Sequence, residues 1–203
     1  MNDIIKEKTK IITLEEPISF NGAEYKELKL QEPTVNQISL SYQVMGNRTS
    51  VSAGIECQID LLARVSGWPK EAIEELPSTK MDEATSWLDS FQADLVTNDL
   101  NNTSTPLPQF TINFDPPIEL SNGDHFDTMD LQEPTIKHRK LACKQLDQYG
   151  QNASGMMQFE ISLVTAVSKW SLTAVLAMPI SKFCEAVKYL NSFFPNGHQT
   201  GLK

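Results

Sequence analysis

The chain has little with which to do chemistry. Its 203 residues include only three cysteines and three histidines. An odd count of widely spaced cysteines, Cys57, Cys143 and Cys184, offers neither a disulfide framework nor a metal-binding pattern. His125, His138 and His198 are equally scattered and form no ligand set. No apolar run approaches the roughly 18 residues that a membrane helix needs: the most apolar region, Ile161 to Ile180, is broken by Lys169 and ends at Pro179. Met1 to Lys10 holds Asp3, Lys6, Glu7, Lys8 and Lys10, which leaves no apolar segment for a signal peptide. Positive charge is also short, with 17 Lys and Arg against 26 Asp and Glu and a net charge of −9, a balance that disfavours a nucleic-acid backbone as the main partner. There is no phosphate-binding loop and no nucleophile with a base beside it. The expectation is a cytoplasmic protein that is not an enzyme, needs no cofactor or metal, touches neither membrane nor nucleic acid, and acts by binding other proteins.

What is present is a repetition. Leu30-Gln31-Glu32-Pro33-Thr34 returns as Leu131-Gln132-Glu133-Pro134-Thr135, and the preceding Pro17-Ile18 and Asn21-Gly22 return as Pro117-Ile118 and Asn122-Gly123. Further on, at a separation of 102, Ile59, Leu61, Val65, Trp68, Pro77, Ala84, Leu88 and Phe91 meet Ile161, Leu163, Val167, Trp170, Pro179, Ala186, Leu190 and Phe193. Matching of this extent marks one unit written twice. Each copy, of about eighty residues, is just large enough for a small core of its own.

The pattern within each copy predicts an α+β fold: two tandem copies of a unit made of an N-terminal β-hairpin followed by a small helical bundle. Ile11 to Phe20 and Ala23 to Leu30 roughly alternate apolar and polar residues about Asn21-Gly22, a strong hairpin signal. Pro33 ends the second strand, Thr34 is a good N-cap, and Gln37 completes a capping box. A first helix then runs to about Met45. The second helix, from Gly54 to Ser66, puts Ile55, Ile59 and Leu62 on one stripe beside Leu61 and Val65, with Gly67 as its C-cap. Pro69 opens a short helix from Lys70 to Leu76, and the last helix begins near Ser78-Thr79. Trp68 and Trp170 read as matched core anchors. The division is a flexible arm at 1–10, a first repeat unit at 11–96, a linker rich in Asn, Thr, Ser and Pro at 97–109, a second unit at 110–194 and a flexible tail at 195–203.

Charge separates the copies. Residues 1–100 hold 17 acidic and 9 basic side chains, against 9 and 8 in the remainder. The first helix of copy one, from Val35 to Val44, is uncharged, whereas its counterpart reads Lys137-His138-Arg139-Lys140-Leu141-Ala142-Cys143-Lys144. At about 100° per residue, Lys137, Lys140 and Lys144 form one basic stripe, with Ile136, Cys143 and Leu146 turned toward the core. Glu71, Glu74 and Glu75 in copy one, together with Asp82, Glu83 and Asp89, read as a solvated acidic face, since copy two replaces most of them with uncharged residues. The candidate partner-binding residues are therefore Lys137, Lys140 and Lys144 and, opposite in sign, Glu71, Glu74 and Glu75, able to dock within a chain, between chains in self-association, or on a charged partner.

The succession Ile12-Thr13-Leu14, Pro17-Ile18, Asn21-Gly22, Leu28, Leu30-Gln31-Glu32-Pro33-Thr34, Leu61-Leu62-Ala63-Arg64-Val65-Ser66-Gly67-Trp68-Pro69, Ala72-Ile73 and Leu76 resembles the small tail assembly chaperones of long-tailed bacteriophages. Copy two matches chiefly at the hairpin and pentapeptide and departs where Gly67-Trp68-Pro69 becomes Lys169-Trp170-Ser171. The resemblance implies a non-enzymatic protein of the host cell cytoplasm that binds the tape measure protein, keeps it soluble, and assists tail tube protein assembly around it; the usual family member is one unit long. Two other classes stand beside it. One is a structural tail or baseplate adaptor subunit of the virion. The other, an enzyme or a DNA-binding regulator, is opposed by the missing catalytic set and the acidic balance.

Overall fold

In the computed structural model, residues 8–92 and 107–194 are described. Most of the expected arm and linker and all of the tail lie outside the described residues. Strand β1 (Thr9–Phe20) pairs antiparallel with β2 (Ala23–Gln31). Thr9 and Lys10, assigned from sequence to the arm, already belong to this ladder. Asn21 and Gly22 both adopt positive φ, 49° and 78°, the conformation whose twist suits a two-residue hairpin. Between Thr13 and Ile18 the register shifts, and Pro17, which has no N–H to donate, falls in this bulge. Because side chains alternate along a strand, Ile12, Leu14, Leu28 and Leu30 are buried while their neighbours face water.

Four helices follow: α1 (Val35–Met45), α2 (Val51–Ser66), α3 (Lys70–Glu74) and α4 (Ser78–Asp89). Thr34 and Gln37 form the expected capping box. Helix α2 starts earlier than the apolar pattern implied because the Ser50 hydroxyl caps it, accepting from the Ala53 N–H. Gly67 ends it in the left-handed region at φ 76°, as a glycine C-cap does. Pro69 stands at the N-cap of α3 rather than inside it.

The second repeat reproduces this order. Strand β3 (Gln109–Glu119) pairs with β4 (His125–Gln132), with a register shift at the matching place between Asn113 and Ile118. Helices α5 (Ile136–Tyr149), α6 (Ala153–Ser168), α7 (Leu172–Ala177) and α8 (Ile180–Asn191) follow. The chain is therefore α+β, with two hairpin-plus-helix halves. The matched tryptophans lie on the same element boundary and meet the same hairpin position: Trp68 packs on Tyr25 with ring centroids 4.9 Å apart, and Trp170 on Phe126 at 4.8 Å. Both are half-buried, and Trp170 gains a second ring, Phe114, at 5.1 Å. Leu88 and Leu190 are buried at equivalent places on α4 and α8.

Two expectations about buried faces are corrected. Ile55, placed from sequence on the core stripe of α2, is 48% exposed, although Leu62 and Val65 are buried. Ile136 and Cys143, expected to turn inward on α5, are exposed, and Ala142 is the buried residue of that helix, with Leu146 packed partly against the core. The reason is tertiary. The N-caps Thr34 and Thr135 match Ile136 to Val35 and Ala142 to Ser41, and Val35 turns away from its own bundle toward the other repeat.

Candidate functional site

The contact between repeats is built from the repeated pentapeptide outward. Leu30 fills the first core, and Pro33 breaks the ladder, freeing its carbonyl to accept from the Ile180 N–H at 2.9 Å. Thr34 forms an isolated antiparallel bridge with Pro179, and the Val35 N–H donates to the Met178 carbonyl at 3.0 Å. Helix α8 has Pro179 as its N-cap, which has no side chain able to cap. Glu32 supplies what is missing, its carboxylate accepting from the Ser181 N–H at 2.9 Å. A carboxylate at a helix N-terminus also meets the positive end of the helix dipole. The glutamate of the pentapeptide thus caps a helix of the other repeat.

Helix α1 then lies on α6, α7 and α8. Val35 and Ile38 are fully buried and join the core of the second repeat. Gln158 donates to the Ser39 hydroxyl at 2.7 Å, and Asn152 donates to Asn47 at the far end of the contact. A cavity of about 210 Å³ remains at this seam, lined by Tyr42, Gln92, Met156, Met157, Glu160 and Phe183 among others. Burial pushes the Glu160 carboxyl up to about 7 and, as the first of its causes, the Tyr42 hydroxyl up to about 12.

The six charged residues singled out from sequence are all exposed. Lys137, Lys140 and Lys144 stand on α5; Glu71 and Glu74 stand on α3, and Glu75 directly follows it. Among the described residues no ion pair joins the two sets. Arg139 lies 4.1 Å from the centre of the Phe194 ring, a cation–π contact at the edge of the stripe. Glu83, counted with the solvated acids, is bonded instead to Lys10 at 3.0 Å and Lys80 at 3.3 Å, and these bonds hold its carboxyl below the ordinary range.

Asp60 was missed by pattern reading. It is completely buried on α2, bonded to Arg64 at 2.5 Å, Lys70 at 2.5 Å and the Ser41 hydroxyl at 2.9 Å. Burial alone would raise its pKa, but the hydrogen bonds from Arg64, Lys70 and Ser41 outweigh it and hold the carboxyl below the usual range. Its sequence signal was a carboxylate between Ile59 and Leu61 with an arginine four residues on. The cluster belongs to copy one alone, since Ser162, Ala166 and Leu172 stand at the places of Asp60, Arg64 and Lys70.

Burial, the largest cause, pushes the Cys57 thiol up to about 11, so it is a poor nucleophile. Among the described residues no group of three His, Cys, Asp or Glu is placed to hold a metal ion, and no helix is long and apolar enough to cross a membrane. Among known proteins, the family described as "Phage tail assembly chaperone proteins, E, or 41 or 14" matches at residues 11–92 and again at residues 111–195. No curated protein and no solved structure matches.

Proposed function

Since the chain belongs to the phage tail assembly chaperone family in each of its two halves, we propose that it works in the host cytoplasm as a holder of the tape measure protein, binding that long, apolar helical chain and assisting tail tube assembly around it. The observation that carries this reading is the double family match. The distribution of exposed groups supports it: Ile136 and Leu141 present apolar surface on the helix that carries Lys137, Lys140 and Lys144, and Leu172 on α7 is exposed in the same repeat, a combination that suits protein contact. The basic stripe, and the acidic set Glu71, Glu74 and Glu75 in the first repeat, act as electrostatic docking surfaces, setting encounter rate and specificity more than fold stability.

Co-expression with the tape measure protein tests the reading. The expected result is that the client stays soluble and is recovered with the chain, that no hydrolase or transferase activity accompanies it, and that the chain is absent from mature particles. Stoichiometric presence in purified virions would instead establish a structural adaptor subunit.

A further inference from the structure

Glu160 is a carboxylate in need of a partner. It stands on α6 in the wall of the cavity at the seam, and among the described residues no hydrogen bond or ion pair reaches its side chain, so burial is the one cause acting on its carboxyl. A charge taken out of water without a partner is costly. The matching place in the first repeat, at the separation of 102, is Gln58, which is exposed. The neutral amide thus stands where water is at hand, and the acid stands where α1 has covered it. Stability alone favours the reverse placement.

The rest of the wall fits one chemical class. Tyr42 on α1 and Phe183 on α8 bring aromatic rings, Met156 and Met157 bring thioethers, and the lining contains no Lys, Arg or His among the described residues. Rings and a carboxylate both attract a cation, and thioethers pack adaptably along an alkyl chain. The Gln92 side-chain carbonyl already accepts from the Tyr42 hydroxyl at 3.4 Å. A guanidinium needs partners for five N–H groups in a planar fork, whereas an ammonium on an alkyl stem needs only three and is served by one carboxylate and water at the mouth. We propose that the seam cavity binds a primary alkylammonium group, with Glu160 as its counter-ion and the rings of Tyr42 and Phe183 beside it. A cavity of about 150 Å³ already accommodates a benzene-sized molecule, so about 210 Å³ has room for the stem and its head, and the cavity opens to solvent. Residues 93–106, which continue from Gln92, contain no Lys, Arg or His. The cation therefore comes from elsewhere, as a lysine side chain of a protein partner or as a free aliphatic amine. The proposal goes beyond the chaperone reading and does not depend on which client the chain holds.

The electrostatics give the site a pH signature. Burial pushes the Glu160 carboxyl up to about 7, and a bound cation favours the ionised form, so below that value binding must expel a proton. The other titratable groups around Tyr42 are Cys57 on α2, Asp89 at the end of α4 and Cys184 on α8. Tyr42, at about 12, and Cys57, at about 11, stay neutral near pH 7. Asp89, whose carboxyl is also raised by burial, adds negative charge when ionised and favours a cation as well.

Titration of the full chain with n-butylammonium, followed through the methyl resonances of Met156 and Met157, tests it. Saturable shifts are expected at about pH 8, with affinity about tenfold lower at about pH 6. The alcohol n-butanol, which has the same chain and a neutral head, should bind about tenfold more weakly than the amine at the higher pH. Glu160→Gln keeps the shape and removes the charge: it should lose about tenfold in amine affinity at about pH 8, abolish the pH dependence and leave n-butanol binding unchanged. Above pH 7 this variant is expected to be more stable than the wild type, so its lost binding will not reflect unfolding. Comparison with N-acetyl-lysine amide separates the two sources. Binding equal to that of n-butylammonium supports the proposal with a protein side chain as the source, and binding of n-butylammonium alone supports it with a free amine. Equal affinity for alcohol and amine, unchanged amine binding by Glu160→Gln, or no saturable shift with either amine would each overturn the proposal.

Discussion

Lys169 sits where the first repeat has Gly67, and it adopts the same left-handed conformation, φ 62°. A side chain with a Cβ is disfavoured there, so Lys169→Gly should stabilise the protein by about 1 kcal/mol, read as a higher urea midpoint. Asp60 has the opposite character, a buried carboxylate whose partners would be left without it. Asp60→Ala is expected to cost about 3 kcal/mol at neutral pH. Its folded pKa lies below the unfolded one, so its contribution is present at neutral pH and is lost as acid protonates it on the way down through the lowered folded value. The variant should accordingly lose less stability than the wild type on acidification. Glu160 runs the other way. Its folded value is raised from 4.5 to about 7, so the folded state holds a proton the unfolded state lacks, and stability falls as pH rises through that window. Glu160→Gln should be more stable than the wild type at pH values above 7, by about 3 kcal/mol, and should melt higher there, with the gain vanishing below the ordinary glutamate range.

At the scale of elements, Glu32 and Glu133 offer a controlled comparison. They occupy identical pentapeptides, but among the described residues Glu32 caps a helix terminus and Glu133 does not. Glu32→Ala should lower stability by about 1 kcal/mol, the usual value of an N-cap, while Glu133→Ala should leave the unfolding of dilute protein unchanged. The same pair marks where sequence reading reaches its limit. The hairpins, the Thr34 and Thr135 caps and the Gly67 terminus were legible because each is encoded within four or five residues. The outward turn of Ile136 was not: a valine or isoleucine after a capping threonine reads as a core residue in both copies, and which one is covered depends on a helix brought from the other repeat. Asp60 was hidden for a similar reason, since Ser41 and Lys70 reach it from separate elements. Of the candidate site, exposure of the lysine and glutamate sets was legible, whereas the bare surfaces flanking them followed from the docking of α1.

For the whole molecule, the two cores are unequal in a way that their repeated sequences do not suggest. The core around β1 and β2 is assembled from residues 12–88 alone, whereas the core around β3 and β4 takes in Val35, Ile38 and Phe91 from the first repeat. A fragment ending near residue 100 should therefore unfold cooperatively, while one beginning there should bind a hydrophobic dye and melt without a sharp transition, as a poorly sealed core does. This inequality matches the direction in which a ribosome delivers the chain. The half that needs no help emerges first, and by the time the dependent half is released its missing wall is already folded and held nearby by the same polypeptide. Reversing the order of the two halves in a circularly permuted gene would preserve every contact yet release the dependent half before its wall exists, and the yield of soluble protein should fall although the finished structure is the same.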